Sequence, residues 1–357
     1  MSKTILITGG AGFIGSHVVR LFANKYPDYK IVNLDKLTYA GNLESLSEIE
    51  NNKFYKFLQV DIVDHSKIQE IFLREKPDFV MHLAAESHVD RSIDGPKTFL
   101  DTNIMGTYSL LEASRVYLET ADKNTRDKFC FLHISTDEVF GSLDKVGLFD
   151  EASNYSPNSP YSASKAASDH LVRSWGSTYN IPYLITNCSN NFGPFQHPEK
   201  LVPTTIINAI KGNNINIYGT GKNIRDWLYV DDHVSALWQI INSNKRKETF
   251  CIGGNNEKTN LQVVSEICNT LNEINKDNSQ KTENYLSLIK MVPDRPGHDM
   301  RYAINSGKLF DTLNWEPSES FNSGLKKTVC WYLDNQDWCE RALSGSSTQI
   351  RLGLKGS

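Results

Sequence analysis

Two groups of residues in this chain have the types and spacing to do chemistry together. Tyr161-Ser162-Ala163-Ser164-Lys165 sets a phenol and an amine at i and i+4, one above the other on a helix face. A free tyrosine loses its proton only near pH 10, too high for a base at neutral pH. An ammonium one turn away, helped by a cationic hydride acceptor, stabilises the phenolate and lowers that value. Such a pair removes a hydroxyl proton while hydride leaves the same carbon. The second group is Ser135-Thr136-Asp137-Glu138. Redox chemistry alone needs one hydroxyl here to hold a substrate oxygen, so two adjacent carboxyls are surplus to it. Elimination of water needs an acid for the departing hydroxyl and a base for a carbon-bound proton. Asp137 and Glu138 supply both if their surroundings push their proton affinities apart.

The elements around these groups read as an α/β fold. Short β-branched runs at residues 4–7, 31–34, 57–60, 79–83, 129–134 and 183–187 alternate with amphipathic stretches at 15–24, 66–74, 107–119 and 161–179. That alternation predicts a Rossmann-type, doubly wound parallel sheet with crossover helices. The 135–138 tetrapeptide then lies at the carboxyl end of a strand, where ligands bind in such folds. The first strand runs into Gly9-Gly10-Ala11-Gly12-Phe13-Ile14-Gly15. Gly9, Gly12 and Gly15 allow a tight turn, a close approach to a pyrophosphate and close helix–strand packing, and the helix N-terminus offers N–H donors. Asp35, at the end of strand two, is placed to accept hydrogen bonds from a ribose. Its carboxylate favours NAD over NADP, and Lys36 beside it works in the opposite sense.

Beyond Phe192-Gly193-Pro194 the chain changes character, with more Pro, Gly and Asn up to residue 221 and a polar, loop-like stretch at 275–284. Residues 226–242 read as a helix and 248–252 as a strand. The expected division is a dinucleotide-binding domain over 1–193, to which 226–254 returns. A smaller, discontinuous α+β substrate lobe takes 194–225 and 255–340, and 341–357 forms a tail prone to fray.

The charge balance of 38 Lys and Arg against 42 Asp and Glu argues against a nucleic-acid binder, whose affinity rests on a basic surface. The first eight residues carry no secretory signal and no apolar run approaches a membrane span, so a cytoplasmic protein is expected. The 6 cysteines form no Cys-x-x-Cys pair, which predicts reduced, buried thiols and no metal.

From about residue 3 to 335 the chain resembles the dTDP-glucose 4,6-dehydratases, extended members of the short-chain dehydrogenase/reductase superfamily. The resemblance rests on residues 8–16 (TGGAGFIGS), 33–43 (NLDKLTYAGNL), 82–92 (HLAAESHVDRS), 135–141 (STDEVFG), 159–165 (SPYSASK), 225–232 (RDWLYVDD) and 294–299 (DRPGHD). It implies that Tyr161, assisted by Lys165 and Thr136, takes the C-4 hydroxyl proton of a nucleotide-linked glucose. Glu138 then removes the C-5 proton and Asp137 protonates the leaving C-6 hydroxyl. The hydride returns to C-6, giving a 4-keto-6-deoxy sugar nucleotide, a precursor of deoxysugars such as rhamnose.

The same resemblance implies an NAD site of Phe13, Ile14, Asp35, Lys36, Leu37 and Thr38. Asp61, Ile62, Leu83, Ala84, Ala85, Thr102 and Asn191 complete that site. It implies substrate contacts from Ser87, Asn190, Lys200, Leu201, Tyr218, Arg225 and Asn260, with Asp294, Arg295 and His298 beside them. Three of these have a physical reading of their own: Arg225 and Arg295 suit a diphosphate, and Tyr218 suits either stacking on a nucleobase or filling the second lobe's core. A homodimer through 107–119 and 161–179 is implied as well. Phe140, Phe192 and Asn216 depart from the family's frequent residues, which bears on the choice of nucleobase. Two rivals remain: a 4-epimerase or decarboxylase has no use for Asp137 and Glu138 together, and a silent NAD-binding regulator has no need of Tyr161 and Lys165.

Overall fold

A computed structural model describes residues 3–277, 284–294 and 297–344. Its strands, in chain order, are β1 (Lys3–Thr8), β2 (Tyr29–Asp35), β3 (Tyr55–Gln59), β4 (Phe79–His82), β5 (Cys130–Thr136) and β6 (Tyr183–Cys188), then β7 (Asn190–Phe192), β8 (Ile215–Tyr218), β9 (Ile224–Tyr229), β10 (Glu248–Ile252), β11 (Glu257–Thr259) and β12 (Ile289–Val292). Seven of them form one sheet in the order β10-β6-β5-β4-β1-β2-β3, every adjacent pair parallel. Its central strands are apolar on both faces, as Ile5, Leu6 and Ile7 are, because helices cover both sides.

Helices Phe13–Lys25 and Val230–Asn242 bury Val18, Phe22, Val234 and Leu237 on one face. On the other, helices His65–Glu75, Thr107–Thr120 and Pro160–Thr178 bury Phe72, Leu110, Leu111 and Val172. The strand order reverses between β1 and β4, which opens a crevice above their carboxyl ends. This is the doubly wound Rossmann architecture expected.

The smaller lobe is built from a three-stranded sheet, β11-β9-β7, and a parallel pair, β12-β8. Helices Leu201–Ile210, Asn260–Asp277 and Phe321–Asp334 close over its core of Phe192, Ile206, Ile217, Val264 and Tyr332. Three features differ from the sequence reading. The helix expected over 226–242 begins only at Val230, because Ile224–Tyr229 is a strand held between β7 and β11. Its consecutive Trp227, Leu228 and Tyr229 are all buried, a pattern that suits a strand covered on both faces. The polar stretch from 275 starts inside the Asn260–Asp277 helix, and residues 278–283 lie outside the described residues, as do 345–357 of the expected tail. Finally, the chain revisits the large domain unannounced: helix Gly307–Leu313 and Trp315 add Leu309 and the indole to the large sheet's core.

All six cysteines are free thiols, five of them buried. Among the described residues no helix is long and apolar enough to cross a membrane.

Candidate active site

The glycine loop sits where the crevice begins. Gly9 has φ +72°, and a Cβ there would lie 2.6 Å from the Ala84 backbone nitrogen. A Cβ on Gly15 would lie 2.0 Å from the Gly9 carbonyl oxygen, so neither position tolerates a side chain. The helix that follows begins at Gly12 with no side-chain cap and no acidic residue in its first turn, which leaves its N–H donors to an anion. Asp35 closes β2 and turns both carboxylate oxygens onto the loops. One accepts from the Ala11 N–H at 2.9 Å, the other from Leu37 N–H at 2.8 Å. Burial pushes its proton affinity up against those bonds. Lys36 is held 2.5 Å from the Asp61 carboxylate, so its charge is already paired.

At the far end of the crevice, β5 delivers Thr136 and a single turn delivers Asp137 and Glu138. The Thr136 hydroxyl accepts from Glu138 N–H at 3.2 Å and donates to Asp137 Oδ1 at 3.3 Å. Asp137 is buried, and its Oδ2 has no hydrogen-bond partner among the described residues. Burial first, then the neighbouring Glu138 and Asp226 carboxylates, raise its proton affinity well above the ordinary value, against a smaller opposing pull from Arg225. A carboxyl in that position is an acid poised to give up a proton. Glu138, beside it, is half-buried.

Tyr161 and Lys165 come from the helix opposite. Ser159 starts that helix with a reciprocal cap: its hydroxyl accepts from Ser162 N–H and Ser162 Oγ accepts from Ser159 N–H, both at 3.0 Å. With Pro160 in the first turn, this fixes Tyr161 one residue into the helix. Lys165 is buried, donates to the Ile134 carbonyl at 2.9 Å, and is pushed down to about 8 chiefly by that burial. The expectation that the lysine acidifies the tyrosine does not describe the protein by itself. Burial, then Glu138 and Cys188, raise the Tyr161 phenol well above its ordinary value, and a hydrogen bond with Thr136 only partly offsets them.

One continuous cleft joins the two ends. It is lined by Gly9, Gly12, Phe13, Ile14, Gly15, Asp35, Lys36 and Thr38, and then by Asp61, Ile62, Leu83, Ala84, Ala85 and Thr102. Further along come Ser87, Asn190, Asn191 and Lys200, with Thr136, Asp137, Glu138, Tyr161 and Lys165 at the far end. Asn190 Oδ1 is, like Asp137 Oδ2, a buried acceptor without a partner among the described residues. Leu37 lies outside the cleft wall, its backbone tied to Asp35.

The remaining expected residues that are described do not line that cleft. Tyr218 ends β8 and meets His298 edge-on at 6.5 Å, while His298 Nδ1 is 2.7 Å from Asp294 Oδ1. The N–H of Asn260 donates to the Asn223 carbonyl at 3.0 Å. Leu201 packs into the small lobe's core, and Arg295 lies outside the described residues. Arg225 is near enough to the carboxyl pair to lower the proton affinity of Asp137. It is buried, donates to the carbonyls of Ile224 at 2.7 Å and Asp299 at 3.0 Å, and rests 4.4 Å from the Tyr302 ring centre.

Several wall residues had no sequence signal. Cys188 and His197 line the cleft without belonging to any motif. Asn103, inside a π-helical turn at Leu100–Gly106, clamps both backbone groups of Glu86 and bonds Ser164 Oγ at 2.8 Å. Asp169 lies beneath Lys165; its i+4 spacing was the one signal available.

The model of a family described as GDP-mannose 4,6 dehydratase matches residues 6–328. A dTDP-glucose 4,6-dehydratase of Escherichia coli is 54% identical over 98% of this chain and 99% of its own. The chain belongs to the dTDP-glucose 4,6-dehydratase family. Among solved structures, a dTDP-glucose 4,6-dehydratase of Streptomyces venezuelae with NAD bound superposes with a TM-score of 0.86 at 39% identity, covering 95% of this chain and 99% of that one. A UDP-glucose 4-epimerase of Thermotoga maritima, solved with UDP-glucose, has a TM-score of 0.80 at 30% identity over 93% and 99%. The scaffold is thus shared with a UDP-glucose 4-epimerase.

Proposed function

We propose that this protein is an NAD⁺-dependent dTDP-glucose 4,6-dehydratase that forms dTDP-4-keto-6-deoxyglucose. The observation that carries the reading is the pair Asp137 and Glu138 beside Tyr161, one carboxyl buried with a raised proton affinity and the other half-buried. The glycine loop, the uncapped helix start and Asp35 suit a dinucleotide. NAD⁺, when bound there, accepts a hydride from the sugar's C-4 and gives it back at C-6. Tyr161 removes the C-4 hydroxyl proton while Thr136 and Lys165 hold that side of the site. The 4-ketone acidifies C-5, and Glu138 takes the C-5 proton. Asp137 supplies the proton that lets the C-6 hydroxyl leave as water, and Glu138 returns a proton to C-5. Arg225, with Lys200 at the cleft's rim, suits the diphosphate, and Tyr218 suits the base.

The two-domain division of the sequence reading, with β9 moved to the smaller lobe and helix Gly307–Leu313 to the larger domain, a homodimer through the 107–119 and 161–179 faces, and residence in the cytoplasm belong to the same proposal. Incubation with dTDP-glucose and, separately, UDP-glucose tests it by mass. Loss of one water from dTDP-glucose, with no net NADH released, is the expected result. A product of unchanged mass and inverted C-4 would make the protein an epimerase.

A further inference from the structure

Beneath Lys165 lies a charge that the proposed mechanism does not use. Asp169 is one helical turn beyond Lys165 and has no exposed surface. A buried carboxylate is costly unless donors converge on it. Here its Oδ2 accepts from Tyr155 OH at 2.7 Å, Ser135 Oγ at 3.0 Å and Asn187 Nδ2 at 3.2 Å. His133 Nε2 stands 3.1 Å from its Oδ1. Arg173 backs the cluster from behind, donating to Tyr155 OH at 2.9 Å. Burial works to protonate Asp169, but the contact with His133 and the nearby Lys165, with the Tyr155 bond, outweigh it and hold the carboxyl below its ordinary value. The cluster spans the helix, the end of β5 and β6, so it joins the elements that carry Tyr161, Thr136 and Cys188.

The groups facing Lys165 come from four elements. Tyr161 and Asp169 share its helix, His82 is on β4, His133 on β5 and Cys188 on β6. Burial drives His82 well below its ordinary value and His133 down to about 4, so both imidazoles are neutral at physiological pH. Burial also raises the Cys188 thiol to about 12, leaving it protonated. Among these groups Asp169 is therefore the one that carries a negative charge. A network needing only hydrogen bonds could be closed by a neutral amide.

Resting on the dehydratase reading of the site, we infer that Asp169 is a positioning residue whose buried charge keeps Lys165 an ammonium during turnover and, through Ser135 and Asn187, holds the β5 end that presents Thr136. Asn187 Nδ2 also donates to the Thr136 carbonyl at 3.1 Å, which ties the network to that residue. The device works at a distance from the sugar: it sets the state of the amine and touches no reacting atom.

The test is Asp169→Asn in the NAD-loaded enzyme, followed through the pH dependence of kcat on dTDP-glucose. Asparagine retains an oxygen for the three donors and removes the charge, while its amide NH2 takes the place of the oxygen that faces His133 Nε2. Without it the ammonium is lost at lower pH, so the alkaline limb of the profile should move down by about 1 pH unit or more while the acid limb stays. Tyr155→Phe is the control, since it deletes one hydrogen bond and leaves the charge; its limb should stay near that of wild type. Independently of turnover, the Lys165 Cε resonance of lysine-labelled holoenzyme should titrate at correspondingly lower pH in Asp169→Asn. An unmoved limb and an unmoved Lys165 titration in Asp169→Asn would overturn the inference, even if kcat fell at every pH. A wild-type enzyme that does not dehydrate dTDP-glucose is a different failure. It sinks the reading of the site, and the Lys165 titration then still decides the role of Asp169.

Discussion

The two halves of the site are built differently. At the end of β5, Thr136, Asp137, Tyr161 and Lys165 are all buried, each held by a strand end or a capped helix. In the smaller lobe, Tyr218 ends a strand of a two-stranded sheet and Asp294 and His298 follow on a loop, where the Asp294 side chain is 44% exposed and that of His298 6%. The difference follows from the demands on each half. Proton transfers need groups fixed to a fraction of an ångström in a dry setting. A nucleoside needs a shaped surface that it can enter and leave, and loops at a sheet edge supply one.

If this contrast is sound, substitutions in the buried half should change turnover, and those in the looped half should change affinity. The largest effect should come from Tyr161→Phe, with kcat lower by roughly 10² to 10⁴ and KM for dTDP-glucose nearly unchanged. Steady-state kinetics would break the comparison if KM rose and kcat held. Glu138→Gln should lower dehydration by about 10² while C-4 oxidation still proceeds. Its signature is enzyme-bound NADH absorbance without loss of water, and solvent deuterium that no longer enters C-5. Normal deuterium incorporation in that variant would remove Glu138 as the C-5 base.

The pH profile sharpens the same point. Asp137 must carry a proton to act as the acid, and Lys165 must carry one to act as a cation. Burial raises the proton affinity of Asp137 in the direction the acid role requires, and Lys165 is protonated at neutral pH because pH 7 lies below about 8. As pH rises past about 8 the ammonium is lost, so kcat should fall on the alkaline side there. A kcat flat to pH 10 would mean that neither group's proton is needed.

What could be read from the sequence follows the same divide. The glycine loop, Asp35, the Tyr161/Lys165 pair and the Thr136–Glu138 turn were all visible because strand ends and helix periods fix their spacing. In the looped half, residue types gave roles but not positions. Arg225 reads as a phosphate ligand, yet it is buried, bonded to two backbone carbonyls and stacked on Tyr302, so a diphosphate would have to draw it from those partners or share them. The 226–242 misreading has the same origin, since only pairing with β7 and β11, distant in sequence, makes Ile224–Tyr229 a strand. The opposing effects of burial and of Glu138 on Tyr161 were not legible, because no spacing reveals them.

Arg225 gives the intermediate case. Arg225→Lys keeps the charge but loses the planar, multi-donor head, so KM should rise roughly tenfold with kcat reduced far less. A fall in kcat as large as that of Tyr161→Phe would move Arg225 into the reactive half. The charge does reach across, since it lowers the proton affinity of Asp137 against the larger effect of burial. A modest secondary effect on kcat is therefore part of the expectation.

The smallest effect should come from Tyr218→Leu. The ring is half-buried, meets His298 edge-on and lies outside the small lobe's hydrophobic core, so its loss leaves that core packed. If it stacks on the base, leucine should lose about 1 kcal/mol of binding, roughly a fivefold rise in KM, with kcat and melting temperature unchanged. The same substitution separates the two readings of this residue. A core tyrosine replaced by leucine would lower the melting temperature and leave KM alone. A loss of both would mean that the small lobe's core and the base site share one ring, and the contrast between a rigid half and an adaptable one would then be weaker than the burial of Asp137 and Lys165 suggests.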